Sequence, residues 1–387
     1  MKNILLLGAT GSIGDSVLSV IKQNSNELNL EGIAFQSNLP KALSIIDQFD
    51  PNFVYCESKT NLNSIKESIK KSQQIDLLNE KSQLEFLLNH KNIDIIISAI
   101  SGFAGLETTL MASKTGKIIL LANKESVVVA GDLILPLAKK YNTKIIPIDS
   151  EHNAIFQCLN SEKNTDDVSK IIITASGGPF IDKKVVDLSK VTKKEALNHP
   201  NWEMGSKITI DSATLVNKCL ELIEAKYLFD LNEKFFELVV HPQSIIHSIV
   251  TYKDGSSICQ MSNPDMRVPI SHALSLEEAR LSLDFSEIDF SSLNLSFQEF
   301  PRDRLELVNI ARNICNQGGS SGTVFNAANE IAVQNFLEDK ITFNKIYEVI
   351  YRTFDAIPLS NNVDIDAIYE IDNQTRMEAK KVVKSLT

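Results

Sequence analysis

Six short stretches of this chain carry residue types whose spacing suits chemistry. Gly8-Ala9-Thr10-Gly11-Ser12-Ile13-Gly14 follows an apolar run and precedes a helical one. Glycines at such a turn let the backbone bend tightly and approach a pyrophosphate, which then rests on amide N–H groups at the helix N-terminus. Lys124-Glu125 follows the buried run ending at Asn123, at a strand end where parallel sheets collect ligands; on a surface the same dipeptide would be an ordinary ion pair. Asp149-Ser150-Glu151-His152 closes another strand. Two carboxylates past a strand end can converge on one hard cation, and oxygen ligands select Mg2+ or Mn2+ over zinc. Equally, Asp149 or Ser150 can cap a helix that starts near Asn153. The segment Asp211–Ala225, taken as one helix capped by Asp211 or Ser212, stacks Leu215, Cys219 and Leu222 on one face. Asn217, Glu221 and Glu224 then lie opposite at i, i+4, i+7. That polar face is either solvated or brings Glu221 as a third carboxylate to Asp149 and Glu151. Ala175-Ser176-Gly177-Gly178-Pro179-Phe180 is either an anion nest with a hydroxyl or a plain turn. His199–Gly205 holds the single Trp, Trp202, in a loop that is either a packed corner or a lid.

The elements that must position these residues alternate in the first half. Lys2–Leu7, Leu30–Phe35, Phe53–Cys56, Ile93–Ile100, Lys117–Leu121 and Lys144–Ile148 have strand character, with helical patterns between them. Strands alternating with helices predict an α/β fold with a doubly wound parallel sheet. The second strand ends in Gln36-Ser37-Asn38, without the carboxylate that would repel a 2′-phosphate, so NADP is favoured over NAD. Glu57–Gln83, rich in Lys, Ser and Gln, reads as solvated helix surface. Beyond residue 150, strands at Lys170–Ala175, Phe236–Val240, Ile245–Tyr252 and Ser257–Met261 among helices predict an α+β domain. Leu283–Phe300 reads as an extended linker, and helical period runs from Leu305 to the end. The expected division is therefore 1–149, 150–282, a linker 283–304, and a helical domain 305–387.

Composition narrows the classes. The 387 residues suit two or three domains, and 39 Lys and Arg against 49 Asp and Glu give a net charge of −10. An acidic chain is a poor match for nucleic acid or an anionic membrane, both of which require clustered cations. The longest apolar runs are strand-sized, far short of a membrane span. Five scattered cysteines without a C-x-x-C argue against a disulfide scaffold or zinc knuckle. Met1-Lys2-Asn3 runs straight into the first strand, leaving no room for a signal or transit peptide, so a cytoplasmic enzyme is expected.

Together the motifs GATGSIG, LLANKES, PIDSEHNAIFQ, ASGGPF, HPNWEMG, IDSATLVNK with Glu221, HPQSIIHS and FNAANEIAV resemble the 1-deoxy-D-xylulose 5-phosphate reductoisomerase family, in its order and over nearly the whole chain. The resemblance implies a homodimer whose subunits have a Rossmann-like NADPH domain, a central catalytic domain and a C-terminal helical bundle. Thr10, Gly11, Ser12, Ile13, Ser37, Asn38, Asn123, Glu125 and Gly205 would hold the cofactor. Asp149, Glu151 and Glu221 would bind Mg2+ or Mn2+. Ser176, Ser212, Asn217 and Lys218 would grip the phosphate of a ketose phosphate. Lys124, Ser150, Glu151 and His199 would contact the rest of the substrate, with Trp202 and Met204 in a closing loop. The family often has a Gly and a basic or small residue at the end of strand two, where this chain has Gln36-Ser37. Two other functions share parts of the pattern. A metal-free NADP-dependent semialdehyde dehydrogenase would need an activated Cys, and a non-catalytic NADP sensor would need no converging carboxylates.

Overall fold

The computed structural model describes residues 1–70, 73–160, 165–275, 278–361 and 363–386, the side chain of Asn160 excepted. Runs such as Ile4–Leu7, Ile95–Ile97 and Ile119–Leu121, apolar at every position, cannot serve a sheet with one wet face. All are fully buried, in the middle of a parallel sheet covered on both sides. Its strands are β1 (Lys2–Leu7), β2 (Leu28–Ala34), β3 (Phe53–Tyr55), β4 (Asp76–Leu78), β5 (Ile95–Ser98), β6 (Ile118–Leu121) and β7 (Lys144–Pro147). The order is β4-β3-β2-β1-β5-β6-β7, and every pairing is parallel. Strand order reverses between β1 and β5, the position at which such sheets open a crevice beyond their carboxyl ends. The Glu57–Gln83 run is less uniform than expected. It supplies the Lys59–Ser68 helix and the short β4, while residues 71–72 lie outside the described residues.

The chain divides into two units. The first comprises Met1–Asn123, Ile134–Asp149 and Met266–Phe285; the second comprises Lys124–Leu133, Ser150–Asp265 and Ser286–Thr387. These bounds depart from a division by sequence order, and the reason is visible in the contacts. The Arg267–Ser275 helix packs on the Ser12–Gln23 helix. Lys2 Nζ donates to the carbonyls of Leu274 (3.1 Å) and Ser275 (3.2 Å) at its end. Asn24 Nδ2 donates to Ser282 O at 3.0 Å.

The second unit is built on β8 (Val168–Ala175), β9 (Phe236–Val240), β10 (Ile246–Tyr252), β11 (Ser257–Met261) and β12 (Gln298–Glu299), ordered β11-β10-β8-β9-β12. β8 and β9 run parallel and the other pairs antiparallel. β12 lies inside the stretch expected to be a plain linker. The Ser150–Asn160 helix packs on β10 and β11. The C-terminal bundle is made of helices Leu305–Gln317, Ser321–Leu337, Lys345–Ala356 and Ile365–Leu386. Its Ser321–Leu337 helix is buried along most of its length, as a central bundle helix must be. One hydrophobic core joins the bundle to the α+β part; Phe180 meets Phe343 edge-on at 5.2 Å. Among the described residues no helix is long and apolar enough to cross a membrane.

Candidate active site

In the first unit the glycine turn follows β1. Gly8 has φ +86°, and a Cβ there would stand 2.5 Å from Ala99 O, so both its conformation and its closeness to the chain beyond β5 require glycine. Gly11 precedes a helix whose first turn no side chain caps, which leaves the amides of Ser12 and Ile13 aimed along the helix axis beside half-buried Thr10. Gln36, Ser37 and Asn38 are exposed at the end of β2. Asn38 Oδ1 accepts from Lys41 N at 3.2 Å, capping the Leu39–Phe49 helix. Asn123 is buried, and its Nδ2 donates to the carbonyls of Ile100 (2.6 Å) and Gly102 (2.9 Å), fixing the loop beyond β5.

In the second unit two carboxylates and two ammonium groups form a buried cluster. Lys218 Nζ donates to Glu151 Oε1 at 2.7 Å and to Glu221 Oε2. Lys124 Nζ donates to Glu221 Oε1 at 3.1 Å and Asn217 Oδ1 at 2.9 Å. Asn217 Nδ2 and Ser150 Oγ donate to Glu221 and Glu151 respectively. Glu221 is 1% exposed, and its ligand oxygen lies within 4.8 Å of one from Glu151. Burial pulls the Lys218 ammonium toward neutrality, but Glu151 and Glu221 outweigh it and its pKa is raised. Closely spaced oxygen donors balanced by cations are the donor chemistry a hard divalent ion takes. Asp149 immediately precedes the Ser150–Asn160 helix. Behind Glu221, His152 Nε2 lies 2.9 Å from the Glu221 carbonyl, and His152 Nδ1 lies 3.4 Å from Glu224 Oε2. Sequence reading named these two residues without giving them a place; their adjacency to Glu151 and Glu221 in the chain is the signal.

One expectation is corrected here, and two open alternatives are narrowed. Asp211 and Ser212 do not cap a single helix: they lie inside one helix, Ser206–Thr214, and a second, Val216–Phe229, follows. The break is Leu215, held in the left-handed region at φ +65°. The polar face carrying Glu221 and Glu224 is also not solvated, because almost the whole first half of the second helix is buried on every side. Lys124-Glu125 is likewise no surface pair. Both are buried, and Glu125 Oε1 bonds Lys207 Nζ at 2.7 Å. Burial raises the Glu125 carboxyl, but Lys207 and neighbouring groups more than offset it and leave the pKa lowered.

Ser176 and His199 meet at the turn after β8, which abuts the Ser206–Thr214 helix at the Ser212 backbone. Ser176 Oγ is 2.9 Å from His199 Nε2 and accepts the Gly178 N–H at 3.2 Å. Gly178 has φ +65°, and a Cβ there would lie 2.9 Å from Ser212 O, so the turn rests on that helix. His199 Nδ1 accepts the backbone N–H groups of Asn201 (3.1 Å) and Trp202 (3.0 Å), which places the neutral ring's proton on Nε2. Burial lowers its pKa to about 4. Asn217 and Lys218, also expected at the phosphate, engage the carboxylate cluster. Trp202 is half-buried with its ring 5.9 Å from that of His247, Met204 is half-buried, and Gly205 precedes the Ser206–Thr214 helix.

A dinucleotide turn on a doubly wound sheet carries hydride chemistry, and buried oxygen donors carry hard-cation chemistry; their combination defines a metal-assisted, nucleotide-dependent α/β oxidoreductase. Models of 1-deoxy-D-xylulose 5-phosphate reductoisomerase match residues 4–131, and models of its C-terminal domains match 145–229 and 261–378. The chain is 40% identical to the 1-deoxy-D-xylulose 5-phosphate reductoisomerase of Psychromonas ingrahamii over 99% of each chain. It is 42% identical to that of Francisella tularensis subsp. holarctica over 96% of each. A reductoisomerase crystallised with NADPH, fosmidomycin and magnesium superposes with a TM-score of 0.91 at 37% identity, covering 100% of this chain and 99% of that one. The Zymomonas mobilis enzyme with NADPH gives 0.90 at 37%, covering all of both chains. This chain belongs to the 1-deoxy-D-xylulose 5-phosphate reductoisomerase family.

Proposed function

We propose that the buried cluster of Glu151, Glu221, Lys218 and Lys124 is the reaction centre at which this chain converts 1-deoxy-D-xylulose 5-phosphate to 2-C-methyl-D-erythritol 4-phosphate with NADPH and a divalent cation. The observation that carries the reading is the pair of carboxylates joined through one ammonium. Asp149, Glu151 and Glu221 are the proposed ligands of Mg2+ or Mn2+; bound there, the cation supplies a Lewis acid for the substrate's carbonyl and neighbouring hydroxyl, and NADPH supplies the hydride. Lys124 and Asn217 hold Glu221 in one rotamer, and Lys218 bridges Glu151 and Glu221. Ser176 Oγ, Ser212 and the Nε2 proton of His199 receive the substrate phosphate, with Lys218 and Asn217 on its inner side. Ser150, Glu151 and Lys124 orient the hydroxyls. Thr10, Gly11, Ser12, Ile13, Ser37, Asn38, Asn123, Glu125 and Gly205 hold the dinucleotide, and Trp202 with Met204 excludes water when the loop closes.

Cys158 speaks against a semialdehyde dehydrogenase: it is buried, and burial pushes its thiol up to about 12, far from a nucleophile's range. The test is conversion of 1-deoxy-D-xylulose 5-phosphate with NADPH oxidation, with and without EDTA. Loss on chelation and recovery with Mg2+ or Mn2+ supports the reading; full turnover in EDTA refutes it. The reading includes a cytoplasmic homodimer, checked by light scattering after size exclusion, where twice the chain mass is expected.

A further inference from the structure

Lys207 stands in the first turn of the Ser206–Thr214 helix and is not part of the carboxylate cluster. Its ammonium bonds Glu125 Oε1 at 2.7 Å and Asp211 Oδ2 at 2.7 Å. Glu125 follows Lys124, whose own ammonium reaches Asn217 and Glu221 on the Val216–Phe229 helix. The Lys124-Glu125 dipeptide is therefore fastened by adjacent side chains to two helices, one on each side of the Leu215 break. A non-glycine residue at φ +65° sits in a shallow, costly well, and packing around it decides the angle at which the chain resumes. The clamp is itself braced. Asp211 is 1% exposed, and its second oxygen accepts from Asn329 Nδ2 at 2.8 Å. The neighbouring Glu330 is held by Arg376 at 2.6 Å, and Arg376 also bonds Asp372 at 2.6 Å. The FNAANEIAV motif, for which the reaction chemistry has no use, thus ends on this clamp.

We infer that Lys207 is a positioning residue that sets the spacing between the phosphate contact on one helix and the metal carboxylate on the next. Ser212 rides on the helix that Lys207 ties down, and Glu221 on the helix that Lys124 ties down. The distance between them is the length of substrate the site accepts from phosphate to reacting oxygens. This rests on the proposed roles of Ser212 and Glu221. A substrate or inhibitor of the wrong length must either leave one end unbound or shift one helix, and a rigid clamp makes that shift costly.

The test is a series of phosphonate hydroxamates with two, three and four carbons between the two ends, titrated calorimetrically into the full-length protein with Mn2+ and NADPH. The unmodified protein should prefer one length by about tenfold or more, and Lys207→Met should compress that preference to about threefold or less while weakening the best ligand. A loss of stability alone would not flatten length selectivity. Asn329→Leu, which removes the brace, should act in the same direction and more weakly. If Lys207→Met does not fold, Lys207→Arg keeps the charge with a longer reach and should change which length is favoured. Unaltered selectivity in Lys207→Met, or in Lys207→Arg as its substitute, overturns the inference. Ser212→Ala separates the two levels. Undiminished phosphonate affinity in that variant overturns the phosphate reading and the inference with it; weakened affinity together with intact selectivity in Lys207→Met overturns the inference alone.

Discussion

Acidification should leave His199 neutral well below the ordinary histidine range. Its Nδ1 accepts two backbone N–H groups, from Asn201 and Trp202, and its Nε2 proton is directed at Ser176 Oγ. Burial disfavours the charged ring and lowers the pKa from 6.5 to about 4, and a second proton would have to enter at Nδ1, which already accepts both donors. At ~1.36 kcal/mol per pH unit, that displacement is worth about 3 kcal/mol in favour of the neutral ring. Because the folded value lies below the unfolded one, this contribution is complete above pH 6.5 and is lost as the pH falls from there toward 4. Histidine NMR from pH 8 to 4 reads the titration directly, with His199→Gln assigning the signal among the six histidines. Emission from Trp202, whose backbone N–H donates to His199 Nδ1, should hold steady until the ring protonates and change below about pH 5. A bound phosphonate places negative charge at Nε2 and should move the titration upward. A His199 that titrates near its ordinary value, with Trp202 emission indifferent to it, would refute the tautomer assignment and the burial argument together.

Glu221→Gln keeps size and hydrogen bonding but removes the carboxylate charge that Lys124 and Lys218 both bond. An uncompensated buried charge costs about 3–5 kcal/mol, so cation affinity and turnover should fall by orders of magnitude, and near-normal activity at limiting Mn2+ would count against the ligand assignment. Ser37→Asp should erase or reverse the preference for NADPH over NADH by repelling the 2′-phosphate; equal kcat/KM for the two cofactors in the unmodified protein would show the β2 turn plays no such part. Adding Mn2+ and a phosphonate hydroxamate should change Trp202 emission, and Lys218→Ala should weaken the response by removing a charged contact; an unchanged spectrum at saturation would identify Trp202 as a fixed packing residue.

The local features were readable along the chain. Uninterrupted apolar runs can be satisfied only inside a sheet covered on both faces, so β1, β5 and β6 follow from Ile4–Leu7, Ile95–Ile97 and Ile119–Leu121 alone. The glycine turn is equally local, since Gly8 needs a positive φ. Helical spacing placed Glu221 and Glu224 on one face but left open what that face meets, because periodicity reports direction around an axis and not what lies there. It also ran one helix through Leu215, since nothing in a leucine announces a left-handed backbone that only surrounding packing can hold.

Residue types and short-range spacing therefore determined the parallel sheet, the nucleotide turn, the acidic and hydroxyl residues available for chemistry and the family pattern they compose. Tertiary structure alone decided their partners. Lys207 finds Glu125 across 82 residues of chain, and Asn329 finds Asp211 across 118. Lys218 joins the carboxylates of Glu151 and Glu221, 67 and 3 residues away along the chain. Met266–Phe285 returns to the first unit through Lys2 and Asn24, so sequence order and spatial unit part company there. The reason is the range of the forces involved. Backbone conformation and capping are set within a turn or two, and sequence displays them directly. A buried charge has no local preference for one distant partner over another, and is assigned only when the whole core packs and every desolvated group must be neutralised.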